Sequence, residues 1–192
     1  MTTFFVYGED GLTLKYLKEN LSELLDKLDI SESEDCTVFY RPSFGRTRHY
    51  GEFDAIIITH ENAYLVESKW DGSSDISLGL KENQIKRHKI LMWYQDKWKG
   101  ETGEEWNKFA DNNNLEFERE FRGKYIPYTH DKSGRPTKLA TNLQYILKSI
   151  GDRKIHNILL VFYENEKPEV QQEDFIVIEI PYKTTNGLYI EM

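Results

Sequence analysis

Apolar and polar positions along the chain divide it into alternating helical and extended segments. Leu14, Leu17, Leu21, Leu24, Leu25 and Leu28 recur at helical spacing and predict an amphipathic helix near the N-terminus. Asp10 is its candidate N-cap, which places Glu9 at the helix entrance. Cys36–Tyr40 reads as a short strand, and Arg41–Arg46 as a loop. The stretch from Gly51 to Trp70 reads as two strands joined by the polar turn His60-Glu61-Asn62. Lys81–Tyr94 predicts a helix with Gln84, His88, Leu91 and Gln95 on one face.

From about 96 to 135 the periodicity is poor, and the segment reads as an insertion. It carries Trp98, Trp106, Phe109, Phe117, Phe121, Tyr125 and Tyr128 among charges. Two readings stand: aromatics that stack on nucleic-acid bases, or the core of a small subdomain. Leu139, Leu143, Ile146, Leu147 and Ile150 predict a further helix, with Thr137 as N-cap and Gly151 as C-cap. Ile158–Tyr163 and Phe175–Ile180 are continuous apolar runs, as buried strands are. This order of elements predicts an α/β sandwich with a mixed central β-sheet flanked by helices, in one domain over residues 1–192.

Composition narrows the setting. The single cysteine, Cys36, rules out an intramolecular disulfide, and no apolar run is long enough to cross a bilayer. The N-terminus lacks a basic region followed by an apolar core, so the expectation is a cytoplasmic protein away from membranes. The net charge of −8 weighs against tight duplex binding, where phosphate contacts dominate affinity. Charge is uneven, however: Arg41, Arg46, Arg48 and His49 cluster before Asp54, and Lys132, Arg135 and Lys138 surround a Gly-Pro loop.

The hairpin carries the chemistry. Alternation puts Glu67 and Lys69 on one face of the second strand and Ser68 on the other. The turn brings Asp54 roughly opposite Glu67 and Ser68. Two carboxylates of this kind suit a hard divalent cation, and an ammonium beside them suits a water nucleophile and a charged phosphate. The alternative for these residues is an amphipathic hairpin ending in a surface salt bridge.

Asp54, Glu67, Ser68 and Lys69, in this order and spacing, resemble the catalytic core of the PD-(D/E)XK nuclease superfamily. Phe53 stands where that pattern often has Pro. The run Glu9-Asp10-Gly11-Leu12-Thr13 is similar to an acidic first-helix element of several such nucleases, and Gln84 to their accessory Gln on the following helix. The resemblance implies a restriction-endonuclease-like fold and a nuclease acting on nucleic acid, DNA before RNA. It implies Mg²⁺ or Mn²⁺ held by Asp54, Glu67, the carbonyl of Ser68 and Glu9, with Lys69 positioning water and Gln84 assisting. Arg41, Arg46 and Arg48, in the loop before the catalytic strand, are candidate phosphate contacts. The alternatives are a non-catalytic nucleic-acid-binding or assembly module on the same fold and a nuclease subunit active only with a partner; the partner is a second copy in a homodimer or a separate subunit. The sequence shows no zinc-type cysteine cluster, no Gly-rich phosphate loop and no Gly-x-Ser-x-Gly elbow, and its five histidines lack metal-ligand spacing.

Overall fold

A nine-residue strand, β3 (Asn62–Trp70), organises the sheet. The computed structural model describes residues 6–30, 35–44, 51–72, 78–185 and 189–191. Ahead of β3 lie α1 (Gly8–Glu19), α2 (Leu21–Lys27), β1 (Thr37–Tyr40) and β2 (Ala55–Ile58). After it come α3 (Glu82–Lys97), α4 (Gly103–Phe121), α5 (Lys138–Ile150), β4 (Lys154–Tyr163) and β5 (Ile176–Pro181). A short pair, β6 (Lys183–Thr185) and β7 (Tyr189–Glu191), forms its own two-stranded sheet.

The main sheet has the order β1-β2-β3-β4-β5. β1, β2 and β3 pair antiparallel, whereas β3, β4 and β5 pair parallel. The chain is therefore α/β with a mixed, open, five-stranded sheet. The tight β2–β3 turn closes with Thr59 N–H donating to the Asn62 carbonyl at 2.9 Å. Parallel β4 cannot be reached by such a turn, and the crossover is made by α3, α4 and α5. Ile158–Phe162 of β4 are all buried, as befits a parallel strand covered on both faces.

Strand alternation sorts the interior into two clusters. Ala55, Ile57, Tyr64 and Val66 pack with Leu12, Tyr16 and Leu17 of α1 and with Leu24 and Leu25 of α2. Ile56, Ile58, Ala63 and Leu65 face the other way, onto α3, α4 and α5. The sheet is thus flanked by helices on both faces.

Several expectations need correction. The N-terminal leucine run makes two helices rather than one, interrupted at Asn20, and Leu14 is 44% exposed. The buried stripe of α1 is Leu12, Tyr16 and Leu17. Asp10 is not the N-cap: α1 begins at Gly8 after Tyr7, so Glu9 and Asp10 both sit in the first turn, where acidic groups complement the helix dipole. Much of the aperiodic segment is the 19-residue helix α4, capped by Thr102 with Glu105 in a reciprocal box. Its Trp106, Phe109, Phe117 and Phe121 pack on Trp93 and Tyr94 of α3, so they extend the main core instead of forming a separate one. Thr137 precedes α5 as expected, but its hydroxyl donates to the Tyr128 carbonyl and caps nothing in the helix.

Candidate functional site

Where β2 stops, β3 continues. The antiparallel register begins at Ala55 opposite Val66, so Ser68 has no strand partner on that side. Asp54, one residue before β2, fills the gap: its own N–H donates to the Val66 carbonyl at 3.1 Å, and its Oδ2 accepts the Ser68 N–H at 2.6 Å. A carboxylate thereby takes the place of a backbone carbonyl in the ladder, which holds Asp54 against β3 at the level of Glu67 and Ser68.

Alternation divides these neighbours between the two faces. Ser68, fully buried, points to α1, where Thr13 Oγ1 lies 2.8 Å from Ser68 Oγ and 2.8 Å from the Glu9 carbonyl oxygen. This hydroxyl pair fastens the first turn of α1 to β3 and brings Glu9 to the site. Glu67 points to α3 and is only 1% exposed. Its Oε2 accepts from Gln84 Nε2 at 2.9 Å and from Arg87 Nη2 at 2.8 Å, while Oε1 lies 2.7 Å from Arg87 and 3.3 Å from His88 Nε2.

Each partner is itself oriented. The Gln84 carbonyl accepts the Lys81 N–H at 3.1 Å, which leaves its amide nitrogen for Glu67. Asn157 donates to the Asp174 carbonyl at 3.2 Å, so its oxygen faces His88 Nδ1 at 2.8 Å. Phe53 packs edge-on to His88 with ring centroids 4.9 Å apart, and the Arg87 guanidinium lies 5.2 Å from the Phe53 ring centroid.

The electrostatics follow from crowding. Burial, then the charges of Glu67 and Glu9, push Asp54 from 3.8 up to about 8, against the lowering effects of the Ser68 N–H and Arg87. Burial also raises Glu9, with Asp10 and Glu67 adding to it and Lys69 and Lys81 opposing. Glu9, Asp54, Glu67 and Lys69 therefore share one electrostatic neighbourhood. Lys69 is the cation acting most strongly on Glu9.

Of the predicted site residues, Asp54 is bonded to the Ser68 N–H and Gln84 to Glu67, whereas Glu9 and Lys69 are linked to this group through charge. Arg41 stands beside them, but its guanidinium bridges Asp10 and, at 2.8 Å, Glu52. A phosphate there must compete with two carboxylates. Arg46 and Arg48 lie outside the described residues. The basic run Lys86-Arg87-His88-Lys89 reads in the sequence either as phosphate contacts or as a solvated helix face, yet Arg87 and His88 are 9% and 1% exposed. Their spacing from Gln84, three and four residues, is the signal that places them on the same helix face.

Among the described residues no group of three or more His, Cys, Asp or Glu side chains converges closely enough to hold a metal ion. The donors nonetheless suit a hard dication in kind. They are carboxylate oxygens, crowded so that Asp54 and Glu9 gain proton affinity, and bound positive charge relieves the same repulsion. Among the described residues no helix is long and apolar enough to cross a membrane. Comparison with protein-family models, curated proteins and solved structures returns no match.

Proposed function

We propose that the chain is a metal-dependent nuclease that hydrolyses phosphodiester bonds, with DNA preferred to RNA, on a restriction-endonuclease-like version of the α/β sandwich, in the cytoplasm. One observation carries this reading. Asp54 is braced on the Ser68 N–H at 2.6 Å and pushed up to about 8 by burial and by its neighbours Glu67 and Glu9, with Lys69 in the same neighbourhood. A surface hairpin has no reason to bury and crowd carboxylates in this way. Such crowding is costly unless it serves a charged ligand.

Asp54, Glu67, the Ser68 carbonyl and Glu9 are the groups that would hold Mg²⁺ or Mn²⁺. The ion supplies charge neutralisation and a more acidic water. Asp54 must give up its proton to serve as a ligand. Gln84, Arg87 and His88 keep Glu67 in place. Lys69 orients the attacking water and offsets charge that grows on the phosphoryl oxygens in the transition state. Arg41 reaches phosphate by exchanging one of its carboxylate partners.

The test is incubation of purified protein with plasmid, linear duplex and single-stranded DNA and with RNA, in Mg²⁺, Mn²⁺ or EDTA. Cleavage with metal that EDTA abolishes and Asp54→Asn removes supports the reading. A folded protein inert on all four substrates with either metal rejects it for the isolated chain. The engagement of both Glu67 oxygens favours a second reading, a non-catalytic nucleic-acid-binding or assembly module. That module binds nucleic acid without turnover. A subunit activated by a partner gains turnover on mixing with that partner.

A further inference from the structure

Glu67 accepts from Gln84 Nε2 and from Arg87 at both oxygens, and His88 Nε2 lies 3.3 Å from Oε1. Both carboxylate oxygens are thus engaged by Arg87, so a metal ion that takes Glu67 as a ligand would have to share that carboxylate with the guanidinium. Gln84 is locked by the Lys81 N–H, and His88 by Asn157 behind it. Arg87 is held less well. It meets Glu67 through one nitrogen, Nη2, at 2.7 and 2.8 Å, rather than through two prongs of the guanidinium. Its Nε is buried with no hydrogen-bond partner. One face of the group lies over Phe53, and Nη1 sits 2.7 Å from where a side chain on Gly51 would begin. Gly51, at φ +85°, is what lets the guanidinium in.

We propose that Arg87 is a positioning residue, the internal counter-cation of Glu67, and that it sets the affinity of the site for its divalent metal by competing for the Glu67 carboxylate. This rests on the metal-dependent reading above. Before metal arrives, Arg87 is the guanidinium in contact with both oxygens of the buried Glu67 carboxylate, and it fixes the orientation of that carboxylate. A divalent ion held by Glu67 would repel Arg87, and the single-nitrogen clasp would loosen. Arg87 thus gives stability to the metal-free protein and lowers its metal affinity.

The experiment compares wild type, Arg87→Met and Arg87→Lys without nucleic acid. Mn²⁺ binding is measured by titration calorimetry, and thermal melting is followed in EDTA and in saturating Mn²⁺. In EDTA, Arg87→Met melts below wild type because Glu67 has lost its partner. It also binds Mn²⁺ about tenfold or more tightly, as expected for removing a unit charge a few ångströms from the ion at an effective dielectric constant of about 20. Saturating Mn²⁺ then recovers most of its lost melting temperature. Arg87→Lys, whose ammonium is a poorer match to both oxygens, falls between.

A residue that only supports the fold gives a different pattern, with equal or weaker affinity and a melting deficit that Mn²⁺ leaves in place. Either result overturns the proposal while the metal site stands. If wild type and variants alike bind no Mn²⁺, the metal-dependent reading falls and this proposal with it. Should Arg87→Met not fold, Arg87→Lys decides: tighter binding than wild type upholds the proposal, and equal or weaker binding overturns it.

Discussion

Asp54→Asn should make the protein more stable in alkali while removing the proposed nuclease activity. In the folded chain the Asp54 carboxyl is raised from 3.8 to about 8 by burial, Glu67 and Glu9. The folded state therefore holds this proton through a pH window in which the unfolded chain has lost it. Stability falls as pH rises through that window and levels off above the folded value. Each tenfold gain in proton affinity is worth roughly 1.4 kcal/mol, which sets an upper bound of about 6 kcal/mol. Asp54 keeps partial contact with solvent, and screening there reduces the working figure to about 2–3 kcal/mol.

Asparagine is neutral throughout, and its amide oxygen still accepts the Ser68 N–H that Asp54 takes at 2.6 Å. Urea unfolding in EDTA, followed from about pH 3.5 to about pH 9, isolates the effect, because most other titrating groups contribute equally to both proteins. At about pH 3.5 the two stabilities should agree to within about 0.5 kcal/mol, and by about pH 8.5 the variant should lead by about 2–3 kcal/mol. If the two curves run parallel over the whole range, Asp54 does not carry the raised proton affinity, and the crowded-carboxylate account of the site fails. A gain at high pH in a variant that no longer cleaves is the expected sign of a residue kept for function at the expense of stability.

The remaining predictions address the other parts of the site and the core. Lys69→Ala should leave circular dichroism and metal binding intact but lower turnover by about 10²-fold or more, the scale of deleting one preorganised electrostatic donor; a folded variant that cuts at the wild-type rate refutes the role. Replacing Arg41, Arg46 and Arg48 together with Gln should weaken nucleic-acid binding and flatten its dependence on salt, measured by fluorescence anisotropy at several ionic strengths. Survival of both affinity and slope would assign Arg41 to its ion pairs with Asp10 and Glu52 alone. Trp106→Ala should cost about 3–5 kcal/mol in denaturant unfolding, the usual range for a buried Trp. Trp106 is fully buried, stacks on Tyr94 and donates to the Pro127 carbonyl at 2.6 Å. A loss of nucleic-acid binding without loss of stability would instead make it a stacking residue.

Period-two alternation and one polar turn were enough to read the hairpin and the approach of Asp54 to Ser68, because a register of Ala55 opposite Val66 leaves little freedom one residue earlier. The break at Asn20 was hidden because leucines on both sides keep helical spacing across it. Helix α4 was hidden for the opposite reason. Its buried Trp106, Phe109, Phe117 and Phe121 are separated by a polar run, Asp111–Asn114, that blurs the period, and only the Thr102–Glu105 capping box marks its start.

The most instructive omission is the clasp on Glu67. Lys86-Arg87-His88-Lys89 reads as phosphate contacts or as a solvated stretch when each residue is weighed alone. Residues 84, 87, 88 and 91 nevertheless form the inward stripe of a helix at spacings of three, four and seven. A helix that follows β3 in a crossover has to lay such a stripe across the sheet. At the far end the stripe offers Leu91 and Tyr94 to an apolar core; at the near end it offers Gln84, Arg87 and His88. Polar groups on the buried face of a helix need a polar partner beneath them, and the only charged residue in the middle of β3 is Glu67. Reading helix and strand together, from the demand that buried charges be matched, would have put Arg87 and His88 on Glu67 before any coordinates were known.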